Sequence, residues 1–131
     1  MAPELCNETE YTNKVDVWAI GIITYVLLSG KAPFTGRKKA DIYDKINRAE
    51  PWYSHIAPAS ADAKEFIKAC IRKNPEERPT MAELLEMKWL KDFRSGITLS
   101  EATQLNISAN LFSFRKTTTF QSGVCSIIAN L

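Results

Sequence analysis

Charge of one sign is what this sequence most plainly lacks. Its 17 Lys and Arg stand against 15 Asp and Glu, a net charge of +2, and the basic residues are scattered rather than banked. That balance does not make the electrostatic footprint of a nucleic-acid binder. Cysteine is equally thin: Cys6, Cys70 and Cys125 are isolated and odd in number, with no C-x-x-C pair. The spacing argues against a zinc site and for reduced thiols in a cytoplasmic protein. The lone histidine, His55, has no ligand partners nearby in sequence and is assigned no role. None of the five glycines builds a phosphate cradle, and H-E-x-x-H, a calcium loop and a nucleophile beside a base are missing too. No catalytic, cofactor-binding or metal-binding residue is therefore expected in this chain. No apolar run approaches the roughly 20 residues of a membrane span, and nothing at the start resembles a signal or transit segment.

What is present is ordinary globular material, 45% apolar and 24% charged, enough for about one small domain. The stretch Lys14–Ser29 reads as one helix of about four turns, stopped by Gly30 and then Pro33. Its apolar residues surround the axis, as expected of a helix buried in a core. Asp16 sits in its first turn, where free backbone amides and the helix dipole favour a carboxylate. Two roles stay open for it: an N-terminal cap facing solvent, or a holder of another segment's backbone amides.

The flanking segments follow in order. Pro3 starts a short helical turn at Glu4. A loop from Gly30 to Gly36 leads to a helix over about 38–47, with Ile42, Tyr43 and Ile46 on one side. Pro51, Trp52, Tyr53 and Pro58 mark a connection whose two aromatics fold back over the core. Ser60 caps a helix whose core positions are Ala63, Phe66, Ile67, Cys70 and Ile71, running to Lys73-Asn74-Pro75. Thr80-Met81-Ala82-Glu83 is a capping box, after which Met81, Leu84 and Leu85 face inward and Trp89-Leu90 cap the unit. Past Ser95 the composition changes: Thr98 to Glu101 offers another capping box, and Phe120, Val124, Ile127, Ile128 and Leu131 share one helical face. That last segment docks either on its own core or on a partner groove.

The order of motifs is more telling than any one of them. Ala2-Pro3-Glu4, then Asp16-Val17-Trp18-Ala19-Ile20-Gly21, then Gly30-Lys31-Ala32-Pro33-Phe34, then Arg78 within Asn74-Pro75-Glu76-Glu77-Arg78-Pro79-Thr80 closely resemble the second half of a eukaryotic protein kinase domain. The resemblance implies a mainly α fold: residues 1–93 as the helical C-terminal part of a kinase-like large lobe, and 94–131 as a helical junction or autoinhibitory-like tail. It further implies that Glu4 pairs with Arg78, an arrangement for which a guanidinium fork suits a carboxylate and lysine does not. Asp16, Trp18 and Gly21 lie in the motif of the central helix, where the family's acid accepts hydrogen bonds from the catalytic loop.

The family's Gly-rich loop, strand lysine, H-R-D and D-F-G segments all precede A-P-E, and none is in this sequence. The expectation is a piece of a serine/threonine kinase that, as a whole, uses ATP and magnesium to phosphorylate protein substrates; alone, the chain is inactive. The other reading is a stand-alone scaffold or decoy derived from a kinase lobe. Trp52-Tyr53-Ser54 before Ser60 to Ile67, and Lys88-Trp89-Leu90, look like the calcium/calmodulin-regulated group, although that group usually has His-Pro-Trp where Met87-Lys88-Trp89 stands. The segment Leu105 to Leu111 with Phe114 is similar to the junction of calcium-dependent kinases, which an EF-hand module normally follows. Arg115 stands three residues before Thr118, the basic-x-x-Ser/Thr pattern of a regulatory phosphorylation site. In this reading the basic end reaches the acidic substrate cleft, and phosphate on Thr118 weakens that approach.

Overall fold

A computed structural model describes residues 1–48, 50–96 and 101–115. Its helices are α1 (Pro3–Cys6), α2 (Lys14–Ser29), α3 (Lys39–Arg48), α4 (Ala61–Cys70), α5 (Met81–Glu86), α6 (Lys88–Arg94) and α7 (Glu101–Arg115), with 3-10 turns at Tyr53–Ile56 and Pro75–Glu77. Among the described residues there is no strand. None of these helices is long and apolar enough to cross a membrane.

The spine is α2, which packs against α4 on one side and α7 on another. It ends as its sequence predicts: Gly30 takes the left-handed conformation, φ 67°, and its amide donates to the Val26 carbonyl at 2.8 Å. Val17, Trp18, Gly21, Thr24 and Tyr25 are buried. The expectation of burial all round is corrected here, because Ala19 is exposed and Ile23 is 58% exposed. No described element covers that strip of the helix.

Close packing of α2 on α4 depends on Gly21. A Cβ there would lie 2.5 Å from Cys70 Cβ and 2.7 Å from Ile71 Cγ2. On α4 all five expected core residues, Ala63, Phe66, Ile67, Cys70 and Ile71, are buried, and Ser60 Oγ accepts from the Ala63 amide at 3.2 Å. The helix stops at Cys70 rather than running on to Lys73. The Arg72 and Lys73 carbonyls beyond it turn instead toward Arg78.

The capping box on α5 is formed as expected, Glu83 amide to Thr80 Oγ1 at 3.2 Å and Thr80 amide to Glu83 Oε2 at 2.7 Å. Only Leu84 of that short helix reaches the core; Met81 and Leu85 are exposed, contrary to expectation. A six-residue helix on the rim presents too narrow an arc to bury all three. Trp89 is half-buried, its ring 5.0 Å from that of Phe66. The aromatics of the connection behave differently from each other, Tyr53 half-buried and Trp52 69% exposed.

Candidate functional site

Pro3 at the start of α1 presets that single turn and puts Glu4 in it. Seventy-four positions later, the 3-10 turn Pro75–Glu77 delivers Arg78 in extended conformation beneath α2. The two side chains meet as a fork on a fork. Arg78 Nη1 donates to Glu4 Oε1 at 2.7 Å and Nη2 to Oε2 at 2.8 Å. Arg78 is 1% exposed and Glu4 6%.

The remaining guanidinium hydrogens are used as well. Nε donates to the Arg72 carbonyl at 2.7 Å, Nη1 to Lys14 O at 3.0 Å and Nη2 to Lys73 O at 3.1 Å. All five donors thus have acceptors, which is what makes burial of the charge tolerable. Lys14 returns the contact, its ammonium donating to the Arg78 carbonyl. Burial pushes the Glu4 carboxyl up, but the Arg78 hydrogen bonds and charge outweigh it and hold the group below its ordinary value of 4.5.

Trp18 lies against this anchor, with the guanidinium carbon 5.0 Å from its ring centroid and Phe34 stacked on it at 6.1 Å. Lys73 Nζ sits over Phe34 at 4.4 Å and over Trp18 at 5.4 Å. Among the described residues neither Lys73 Nζ nor Trp18 Nε1 finds a hydrogen-bond acceptor. Desolvation accordingly pulls the Lys73 ammonium below its ordinary pKa, with Glu50 opposing and Arg78 adding to the effect.

The sequence-selected residues therefore divide. Glu4, Arg78 and Trp18 converge on one buried point, and Gly21 lies one turn of α2 away, at the α4 contact. Asp16 is exposed, and among the described residues no side-chain hydrogen bond reaches it, so it is not the cap of α2. Arg115 is the last residue of α7, while Thr118 and the apolar positions from Phe120 to Leu131 lie outside the described residues, as does the capping box begun at Thr98.

Two features escaped the sequence. His55, given no role, shares the Tyr25 hydroxyl: Tyr25 donates to the Trp52 carbonyl at 2.8 Å, and His55 Nδ1 lies 3.2 Å away. The phenol has one proton, so its bond to Trp52 leaves His55 Nδ1 as the donor to Tyr25. Burial raises the Tyr25 pKa to about 12. The other is Asn110 on α7, whose Nδ2 donates to Leu27 O, one of the unpaired carbonyls ending α2, at 2.9 Å. A long-range pairing of polar side chains leaves no periodic mark in a sequence. Nothing among the described residues groups three His, Cys, Asp or Glu as a metal would need.

The protein kinase domain profile matches residues 1–90. Serine/threonine-protein kinase 33 of Bos taurus is 36% identical over 109 residues, covering 82% of this chain and 22% of that protein. CDPK-related kinase 4 of Arabidopsis thaliana is 36% identical over 101 residues, covering 76% and 17% respectively. Calcium/calmodulin-dependent protein kinase type I of Schizosaccharomyces pombe is 40% identical over 99 residues, covering 72% and 29%. The chain thus spans less than a third of the length of these relatives. Among solved structures, the twitchin kinase region from C. elegans matches with a TM-score of 0.63 and 30% identity, over 68% of this chain and 16% of that one. With profile, relatives and fold in agreement, the chain belongs to the protein kinase family, among the serine/threonine kinases, and carries the helical C-terminal part of the large lobe.

Proposed function

We propose that this chain is the anchoring part of a calcium-regulated serine/threonine kinase, a piece whose whole protein transfers phosphate from magnesium-ATP to protein hydroxyls. The observation that carries the proposal is the Glu4–Arg78 fork, which clamps the A-P-E segment onto the base of α2. A kinase needs that segment fixed, because the protein substrate lies along it. Exposed Asp16 and the bare strip at Ala19 and Ile23 suit the catalytic loop expected to precede A-P-E. Residues 1–93 act as the lobe and 94–131 as the regulatory tail; α7, seated on α2 through Asn110, supports the second assignment. The name of the Schizosaccharomyces pombe relative supports calcium/calmodulin control, and the junction-like segment from Leu105 to Leu111 makes an EF-hand module the other candidate partner. In the tail, Arg115 and Thr118 are proposed as the regulatory pair.

The chain alone is expected to bind no magnesium-ATP and to transfer no phosphate, since it contains no Gly-rich loop, H-R-D or D-F-G segment. Calorimetry and a peptide phosphorylation assay test this. Joining the residues that precede A-P-E in the Schizosaccharomyces pombe relative to this chain is expected to restore transfer; a folded but inactive joined protein would favour the scaffold reading. Ending the joined protein near Phe93 is expected to raise its calcium-free activity. Unchanged activity would make 94–131 a linker.

A further inference from the structure

A cleft of about 390 Å³ opens between the loop after α2 and the turn after α3, a size typical of ligand sites. Pro33 and Phe34 form its buried base. Trp52, 69% exposed, stands at its mouth with the His55 ring 5.6 Å from its own. Charge does little to define the cleft. Among the described residues, the only Lys, Arg, Asp or Glu side chains that line it are Lys31, Lys45 and Glu50. The Lys45 ammonium is turned onto the Thr35 carbonyl at 2.6 Å. Such a surface suits an occupant that is apolar and uncharged, not one steered by charge.

The chain itself leads such a segment to the spot. Phe114, in the last turn of α7, supplies the far wall of the cleft, and the residues after Arg115 depart from there. They begin Lys116-Thr117-Thr118-Thr119-Phe120, and from Thr117 to Leu131 the sequence has no charged side chain. Phe120 is the first apolar residue after Phe114 and the only aromatic one beyond it. The five residues from Arg115 to Phe120 reach at most about 18 Å, ample for a return to the wall that Phe114 forms. So short a linker holds Phe120 at an effective concentration on the order of millimolar, and a contact of millimolar affinity is then already half made. A second copy at micromolar concentration competes about a thousandfold less well.

We propose that the cleft is the docking site of this chain's own segment 116–131, with the Phe120 ring seated over Pro33 and Phe34 and packed against Trp52. Residues 116–131 lie outside the described residues. The apolar base offers the ring burial, and the open indole offers it an edge or face to pack on. The threonines before Phe120 are polar enough to stay in water while the chain turns back. The walls of the cleft and the course of the chain carry this assignment, so it stands apart from the kinase reading and from any role of Thr118.

Trp52 reports the contact. Its fluorescence in the full chain at micromolar concentration is isolated by difference against Trp52→Phe, and its quenching by acrylamide is measured. Quenching is expected to rise by about twofold or more in Phe120→Ala, with Phe120→Leu in between. An unchanged circular dichroism spectrum verifies that each variant is folded. A synthetic peptide of residues 116–123, titrated by calorimetry, is expected to bind the Phe120→Ala chain at least about twofold more tightly than the native one, whose own tail competes for the cleft. Both effects should persist from about 0.05 to 1 M salt, because no ion pair is involved. Quenching unaltered by Phe120→Ala would overturn the proposal. So would a peptide that binds the two chains equally or neither of them, or a contact that salt abolishes. Shielding of Trp52 that fades on dilution would assign the cleft to a second copy and overturn it too.

Discussion

A single guanidinium ties Glu4 and the Lys14 carbonyl to the adjacent Arg72 and Lys73 carbonyls, three separate parts of the chain, and its removal is the most damaging single change expected. Arg78→Ala strands the Glu4 carboxylate among buried carbonyls and is expected to cost about 3–5 kcal/mol in the joined protein, read from urea denaturation. A loss under about 0.5 kcal/mol, the range of surface changes, would refute the burial argument. Glu4 also sets a pH signature. Its folded pKa is depressed, so its contribution is complete above 4.5 and fades as pH falls through the folded value. The stability gap between the native protein and Glu4→Gln should therefore shrink on acidification below 4.5; a gap constant from pH 7 to pH 3 would contradict the assignment. Gly21 works by subtraction. With Cys70 Cβ 2.5 Å from where a methyl would stand, Gly21→Ala should force α2 and α4 apart at about 1–3 kcal/mol, despite alanine's better helix propensity. Cys70 itself, its thiol pushed up to about 12 by burial, is expected to resist alkylation at pH 7 until the protein unfolds, as mass spectrometry would show.

Among the elements, local chemistry decided the boundaries and tertiary contacts decided the faces. Gly30 was legible as the end of α2 because a left-handed residue there favours glycine, but its second duty was not. A Cβ at Gly30 would come within 2.9 Å of Asn110 Oδ1, so the turn that ends α2 is also the clearance that seats α7. Gly30→Ala is therefore expected to loosen both, losing hydrogen-exchange protection in α7 as well as at the end of α2. Protection lost at the α2 terminus alone would show that α7 docks without this contact. Thr80→Ala should cost about 1 kcal/mol through the lost cap. The capping box at Thr80, the Ser60 cap and the α4 core face could be read because each lies within one helix turn or one repeat. Exposure of Met81, Leu85 and Ile23 could not, since the pattern reports which residues share a face and not whether another element covers it. The Glu4–Arg78 pairing came from family likeness, not from spacing, and the Tyr25–His55 contact from neither.

For the molecule as a whole, the apolar surface left open is the dominant property. Ile23 on α2, with Leu105, Leu111 and Phe112 on α7, are large side chains in water. The chain by itself is expected to bind a hydrophobic dye or to self-associate, as measured by dye fluorescence and sedimentation. A monodisperse monomer that melts sharply without dye binding would count against it. The span of the Glu4–Arg78 contact has a further consequence, in time rather than in space. At about 5–20 residues per second of synthesis, the 74 positions between the two correspond to about 4–15 s. Throughout that interval Glu4 has emerged without its counter-ion, and α2 has been made without the turn that locks its base. The anchor cannot form when Glu4 is made; it waits for an arginine 74 positions further on, and a ribosome stalled before that codon displays α2 without the contact that fixes its base.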